Sequence, residues 1–263
     1  MDRSKGVEGL PSTNWDIFTK HAWFAMKPSS NLEEWDSISR CESAAETLNA
    51  FGCRSVLDAA SMFGRKTFQF HRLGFEVLGI DMVQRSVEYG QQLAEELGLP
   101  VEFRCLSWAD VPGQFDGQFD AVYNDNFPNA RDREELLEAA KAAYSALKPG
   151  GIALFGSRPE DEWEMSPEER VEKKWKGHDP QKWWNVATPE GQVITIAMAE
   201  RFPTGIYRHF LHVIDGRRVE HSGWFDNLGW MLKDFKETLG EAGFSKIELR
   251  KLKTGEFEGV AVK

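Results

Sequence analysis

Between residues 55 and 156 short apolar runs alternate with stretches in which apolar side chains recur at helical spacing. Ser55–Ala59, Glu76–Ile80, Val101–Cys105, Phe119–Tyr123 and Gly151–Gly156 read as strands. Helices are expected at Ser37–Phe51, where Ile38, Cys41, Ala45 and Leu48 share a face and Gly52 stops the chain, and at Lys66–Leu73, Gln84–Leu97 and Asp132–Leu147. The last has Asp132 and Glu135 spaced as a capping pair, with Leu136, Leu137, Ala140, Tyr144 and Leu147 on one side. Strand–helix alternation of this kind implies βαβ units and a largely parallel sheet covered on both faces.

After Arg158 the texture changes. Glu160–Gln192 is charged, carries Trp163, Trp175, Trp183 and Trp184, has little strand character and reads as an inserted lid. Gln192–Glu200, Gly205–Ile214 and Arg217–Trp224 then alternate as strands, with Asp215-Gly216 as a two-residue hairpin signal. A helix at Gly229–Leu239 and strands at Lys246–Leu252 and Gly259–Val262 follow. The expected organisation is an N-terminal arm or lid at 1–36, a core at 37–158 and 229–263, and an embedded aromatic-rich cap with a β-hairpin at 159–228.

Composition narrows the function classes. A 41% hydrophobic content over 263 residues supports a full core. The net charge of −10 repels phosphate backbones, so nucleic acid is not an expected partner. The sequence carries no apolar run of bilayer length and no apolar leader at its start, so no membrane partner is expected, and a cytoplasmic location is. Cys41, Cys53 and Cys105 include no CxxC pair, which points to reduced thiols. No metal-ligand cluster is expected. His209 and His212, three apart in a strand, fall on opposite faces.

In an open parallel sheet, ligands sit beyond the carboxyl ends of the strands where strand order reverses. Asp58-Ala-Ala-Ser-Met-Phe-Gly64 follows the first strand, and Asp81, an acid able to accept two ribose hydroxyls, ends the second. The first loop lacks GxGxxG, so a pyrophosphate cradle is missing and a nucleoside without phosphates is the better ligand.

The series VLDAASMFG, GFEVLGID, VEFRCLSWADVP, FDAVYNDNFPNA and LKPGGIALFGSR resembles the successive motifs of class I S-adenosylmethionine-dependent methyltransferases, over roughly Arg40 to Arg158. Within them the chain looks most like the glycine N-methyltransferase group: a Trp follows the third strand, an Asn-Phe pair the fourth and an Arg the fifth. The resemblance implies a Rossmann-like α/β fold with a seven-stranded, mostly parallel sheet, helices on both faces and a small antiparallel or lid insertion. It implies S-adenosyl-L-methionine as cofactor, with Asp58, Ala60 and Gly64 in the cofactor loop and Asp81 on the ribose. Met82, Ser107 and Trp108 would flank the adenine, and Arg40 would reach the methionine carboxylate. The loop departs from D-x-G-x-G-x-G, having Ala60 and Met62 in place of glycines. A Met side chain there must turn away or narrow the site.

Methyl transfer from a sulfonium is an in-line displacement that needs positioning and exclusion of water. A neutral amine needs no strong base. Arg158 would grip a substrate carboxylate. Asn126, Tyr123 and Asp125 would line the loop after the fourth strand, Asn126 aiming the amine lone pair. Trp23, Trp184 and Trp224, with Trp183, are candidate walls for a cationic sulfonium or amine. The expected activity is N-methylation of a small amine or amino acid bearing a carboxylate. Two alternatives stand beside it: a binding or regulatory protein with a degenerate cofactor loop, and O-methylation of an aromatic small molecule. A homo-oligomer is compatible with the aromatic N-terminal arm.

Overall fold

The computed structural model describes residues 13–27, 31–35, 37–124, 127–177 and 181–263. The chain starts with α1 (Trp15–Met26), capped by the Asn14 side chain on the Ile17 amide at 3.1 Å, and α2 (Ile38–Ala50). The alternating core follows as β1 (Ser55–Ala59), α3 (Arg65–Arg72), β2 (Glu76–Asp81), α4 (Gln84–Leu97), β3 (Glu102–Cys105), β4 (Phe119–Asn124), α5 (Arg133–Ala146) and β5 (Leu147–Arg158). Asp132 caps α5 by accepting from the Glu135 amide at 2.9 Å.

Two short helices, α6 (Glu160–Glu164) and α7 (Pro167–Lys176), lead into β6 (Gln181–Thr188), β7 (Gly191–Phe202), β8 (Gly205–Ile214) and β9 (Arg218–Asn227). The chain returns to the core through α8 (Leu232–Ala242), β10 (Lys246–Lys251) and β11 (Phe257–Val262). The sheet order β10-β11-β5-β4-β1-β2-β3 is parallel except where β11 runs antiparallel between β10 and β5. Strand order reverses at β1, which pairs with both β2 and β4.

Alternate side chains of the parallel strands feed two apolar layers. Leu57, Val122, Ala153 and Phe155 pack with α5 and α8 on one face. Val56, Ala121, Tyr123, Ile152 and Leu154 pack with α2 and Phe70 of α3 on the other. Burial on both faces explains why these strands read as continuous apolar runs.

The charged segment after Arg158 departs from expectation. Residues 181–188 form a strand, and with β7, β8 and β9 make a four-stranded antiparallel sheet in the order β6-β7-β8-β9, where the sequence pointed to a lid with little strand character. Its Trp, Asn and Lys residues serve a sheet with one solvated face, so they carry no strong apolar signature. The β8–β9 turn is built as expected: Asp215 and Gly216 have φ of 47° and 66°, the left-handed pair of a two-residue hairpin. α1 joins the two sheets. Its Phe18 and His21 face Phe210, Trp224 and His212 of the antiparallel sheet, while Thr19 and Trp23 meet Ser86 and Tyr89 of α4. Among the described residues no helix is long and apolar enough to cross a membrane.

Candidate cofactor site at the strand ends

A cavity of about 570 Å³ opens where the ends of β1 and α3 meet α2. Asp58 to Met62 supply its floor, Arg65 and Lys66 of α3 one side, and Ser37, Ser39 and Arg40 of α2 another. Thr254 and Glu256, from the β10–β11 turn, complete it with Met26 of α1.

The loop owes its shape to backbone that side-chain-bearing residues seldom adopt. Ala60 and Met62 both have φ of 56°, in the left-handed region, which costs an L-residue roughly 1–2 kcal/mol. Gly64, with φ of 87°, begins α3, and a Cβ there would meet Phe103 at 2.3 Å. The half-buried Met62 side chain packs against the cluster of Trp23, Trp35, Phe63 and Phe68, while its amide donates to Asp81 Oδ2 at 2.8 Å.

Asp81 Oδ1 accepts from the Val83 amide at 2.9 Å, so each carboxylate oxygen holds one donor and keeps lone-pair capacity for another. Burial pushes the Asp81 carboxyl above the usual carboxylate range, and the amides of Val83 and Met62 oppose that shift. Asp58 is buried, and its Oδ2 accepts from Thr67 Oγ1 at 2.6 Å, which ties the floor of the cavity to α3.

The candidates for the adenine side lie beyond the cavity wall, along the strand ends. Met82 is 65% exposed. Ser107 is held in a capping box with Asp110, at 2.6 Å between the side chains. Trp108 is half-buried, edge-on to Phe127 at 6.4 Å. Gly64 also lies outside the cavity lining and acts as the helix cap.

Several expected residues are placed elsewhere. Trp23 is 4% exposed and stacks on Tyr89 at 4.4 Å, so it is core and not a ligand wall. Tyr123 is likewise buried, edge-on to Phe70 at 4.9 Å within the α2–α3 layer, rather than lining a catalytic loop. Trp224 is occupied by α1: it sits against Phe18 at 4.7 Å, Phe210 at 4.9 Å and Trp15 at 6.3 Å. Trp184 is half-buried at the edge of the same aromatic group, 6.2 Å from Phe210. Asp125 and Asn126 fall outside the described residues.

Arg158 ends β5 with its guanidinium 4.5 Å over the Trp163 ring. Burial pulls its pKa below the ordinary arginine value, while Glu162 and Asp226 oppose the shift. Asp226 is already paired to Lys174 at 2.9 Å and Arg208 at 3.4 Å.

Sequence reasoning did not reach Thr254 and Glu256, or the Arg65-Lys66 pair. The pair follows Gly64 directly, a signal available in the sequence. The turn carries only Gly255 between two strands.

These residues suit a nucleoside-linked amino acid. The acid ending β2 retains acceptor capacity, and the cavity wall offers cations and anions together. The buried Ser61 hydroxyl, which has no hydrogen-bond partner among the described residues, gives the floor a further polar group.

Residues 56–151 match the family model described as a methyltransferase domain. The chain is 33% identical over 102 residues to the protein YqeM of Bacillus subtilis, whose name describes it as a methyltransferase, covering 38% of this chain and 40% of that one. It is 29% identical over 105 residues to the ubiquinone biosynthesis O-methyltransferase of Chromobacterium violaceum, covering 40% and 44%. The chain thus spans less than half the length of these curated relatives.

Among solved structures, an S-adenosylmethionine-dependent methyltransferase from Clostridium acetobutylicum superposes with a TM-score of 0.62 at 13% identity, covering 94% of this chain and 97% of that one. The sugar N-methyltransferase KedS8 from a Streptoalloteichus species gives 0.61 at 18% identity, covering 99% and 97%. At such identities the likeness is one of fold. The narrower resemblance to the glycine N-methyltransferase group gains no support from these matches.

Proposed function

We propose that this chain, residues 56–151 of which match a methyltransferase domain, is a class I S-adenosylmethionine-dependent methyltransferase that binds its cofactor at the ends of β1 and β2. The acceptor in this reading is a small molecule bearing an anionic group, with nitrogen as the preferred methyl-accepting atom. The observation that carries it is the left-handed backbone at Ala60 and Met62. A loop that has exchanged its glycines for costlier residues and still keeps a glycine loop's conformation is one whose shape is used. It lays the Met62 side chain against an apolar cluster and aims the Met62 amide at Asp81.

The cofactor, when bound, supplies a methyl group on a sulfonium, open to in-line attack. The chain's residues hold and shield it. Asp81 has lone pairs left for ribose hydroxyls, Arg40 brings a cation to the cavity, and Met26 covers one side. Arg158, fixed by the Trp163 ring, offers a planar set of donors suited to a carboxylate. A neutral amine needs only positioning, which favours nitrogen over a hydroxyl needing deprotonation. O-methylation is the second reading, supported by the O-methyltransferase among the relatives.

Calorimetric titration with S-adenosylmethionine and S-adenosylhomocysteine tests the cofactor claim. Micromolar binding is expected, and no binding of either at millimolar concentration sinks it. Transfer of labelled methyl to amino acids, amino sugars and phenols then separates nitrogen from oxygen. Transfer to phenols alone would reverse the preference, and binding without transfer would leave a binding protein. Arg158→Ala should raise KM for an anionic acceptor at least about tenfold while sparing S-adenosylhomocysteine affinity. An unchanged KM removes the anion from the proposal.

A further inference from the structure

Two elements far apart in sequence form one wall of the cavity. The turn from Leu252 to Glu256 is closed by the Leu252 amide on the Glu256 carbonyl at 2.8 Å and the Gly255 amide on the Leu252 carbonyl at 3.0 Å. Gly255 has φ of 87°, which the turn requires. The turn is joined to α2 by the Lys253–Glu46 ion pair and by Arg40 Nη2 to Glu256 Oε2 at 3.4 Å. Ser157 Oγ donates to the same Glu256 oxygen at 3.0 Å, so β5 fixes the carboxylate from below.

Among the described residues the wall carries both signs of charge. Arg40, Arg65 and Lys66 bring three cations, against the carboxylates of Asp58 and Glu256. Asp58 is buried and hydrogen-bonded to Thr67, whereas the Glu256 side chain is 30% exposed. For a ligand ammonium entering this wall, Glu256 is a carboxylate lining the cavity that keeps partial exposure. The Arg40–Glu256 contact is a single long one rather than a bidentate fork, so exchanging it costs little.

We propose that Glu256 and Arg40 form a two-point receptor for the zwitterionic amino acid end of the cofactor, Glu256 taking the α-ammonium and Arg40 the α-carboxylate. The proposal rests on the methyltransferase reading above. In the free protein the two side chains satisfy each other. On binding, the Arg40–Glu256 pair is exchanged for two ligand-borne pairs.

The test measures binding rather than turnover. S-adenosylhomocysteine carries the zwitterion, its analogue without the α-amino group keeps only the carboxylate, and 5′-methylthioadenosine has neither. Glu256→Gln should weaken S-adenosylhomocysteine about tenfold, yet change the desamino analogue and 5′-methylthioadenosine by less than about twofold. The native protein should bind the desamino analogue about tenfold more weakly than S-adenosylhomocysteine, a comparison that stands even if the variant folds poorly. Equal affinity of the native protein for those two ligands overturns the proposal. So does an unchanged S-adenosylhomocysteine affinity in Glu256→Gln, or an equal loss for all three ligands. Failure of the native protein to bind any of the three overturns the methyltransferase reading, and the receptor with it.

Discussion

In the seven-stranded sheet Leu57, Val56, Ala121, Val122, Ile152 and Ala153 are at most 4% exposed, whichever face they occupy. In the four-stranded sheet the two faces differ. The face toward α1 holds Thr195, Phe210, His212 and Ser222, all buried. In the opposite rows, Trp183 pairs with Ile196 and Ile194 with Val213, and Trp183, Ile194, Ile196 and Val219 are exposed by 73%, 41%, 36% and 62%. The buried face also mixes polar groups into its packing: His212 is bonded to Thr195 and Ser222 at 2.9 Å each and stacks on His21 at 3.9 Å. One sheet is held by apolar burial on both sides. The other is held mainly on one side, by aromatic stacking and the hydrogen bonds of His212, and that side is where α1 docks.

The largest effect separating the two should come from Trp163→Ala. Trp163 is fully buried between Phe155 and Phe235, with its indole N–H on the Phe257 carbonyl at 3.1 Å, and its loss should cost about 4 kcal/mol in denaturant unfolding. Next is pH. Burial pushes His212 down to about 3, assisted by the neighbouring His21, and burial also lowers His21 against the upward pull of Glu220. An imidazole in the unfolded chain titrates near 6.5. Stability should therefore be full above about pH 6.5 and fall as pH drops toward 3, with a melting temperature roughly 5 °C lower at pH 5 than at pH 7. Replacing both His21 and His212 by Gln should flatten that slope; a slope that persists assigns it to carboxylates elsewhere.

Smaller still is Ala60→Gly, which relieves a left-handed residue and should raise the melting temperature by about 2 °C. A decrease would mean that the Ala60 methyl contributes more than its backbone costs. Least of all should be Trp183→Ala: a 73% exposed side chain should contribute within about 0.5 kcal/mol, and a larger loss would show that this face is covered in solution.

The same contrast governs what the sequence discloses. β1 and α4 begin and end where periodicity and punctuation put them, because strands buried on both sides must be apolar throughout and Gly98, left-handed at φ 64°, has one use after a helix. β6 was invisible because half its residues face solvent. The β1 loop and Asp81 follow from their position at strand ends, whereas Arg40 came from the family resemblance alone. Trp23 and Tyr123 were legible as aromatic but not as core, and Trp224 not as the seat of α1, since the same side chains serve pockets and packing alike. Glu256 could not be found from spacing. It reaches the cavity because β11 inserts between β10 and β5, a topological fact with no local signature.

That insertion also sets a schedule. Arg40 and Glu256 are separated by 216 residues. At ribosomal speeds of roughly 5–20 residues per second, the first half of the cavity waits about 10–40 s for its second. In the later part of that interval β5 has been made and has no β11 beside it, so the nascent chain displays an unpaired strand edge next to a half-built pocket. Ligand cannot help the first side of the pocket fold as it is made, because the other side follows 216 residues later.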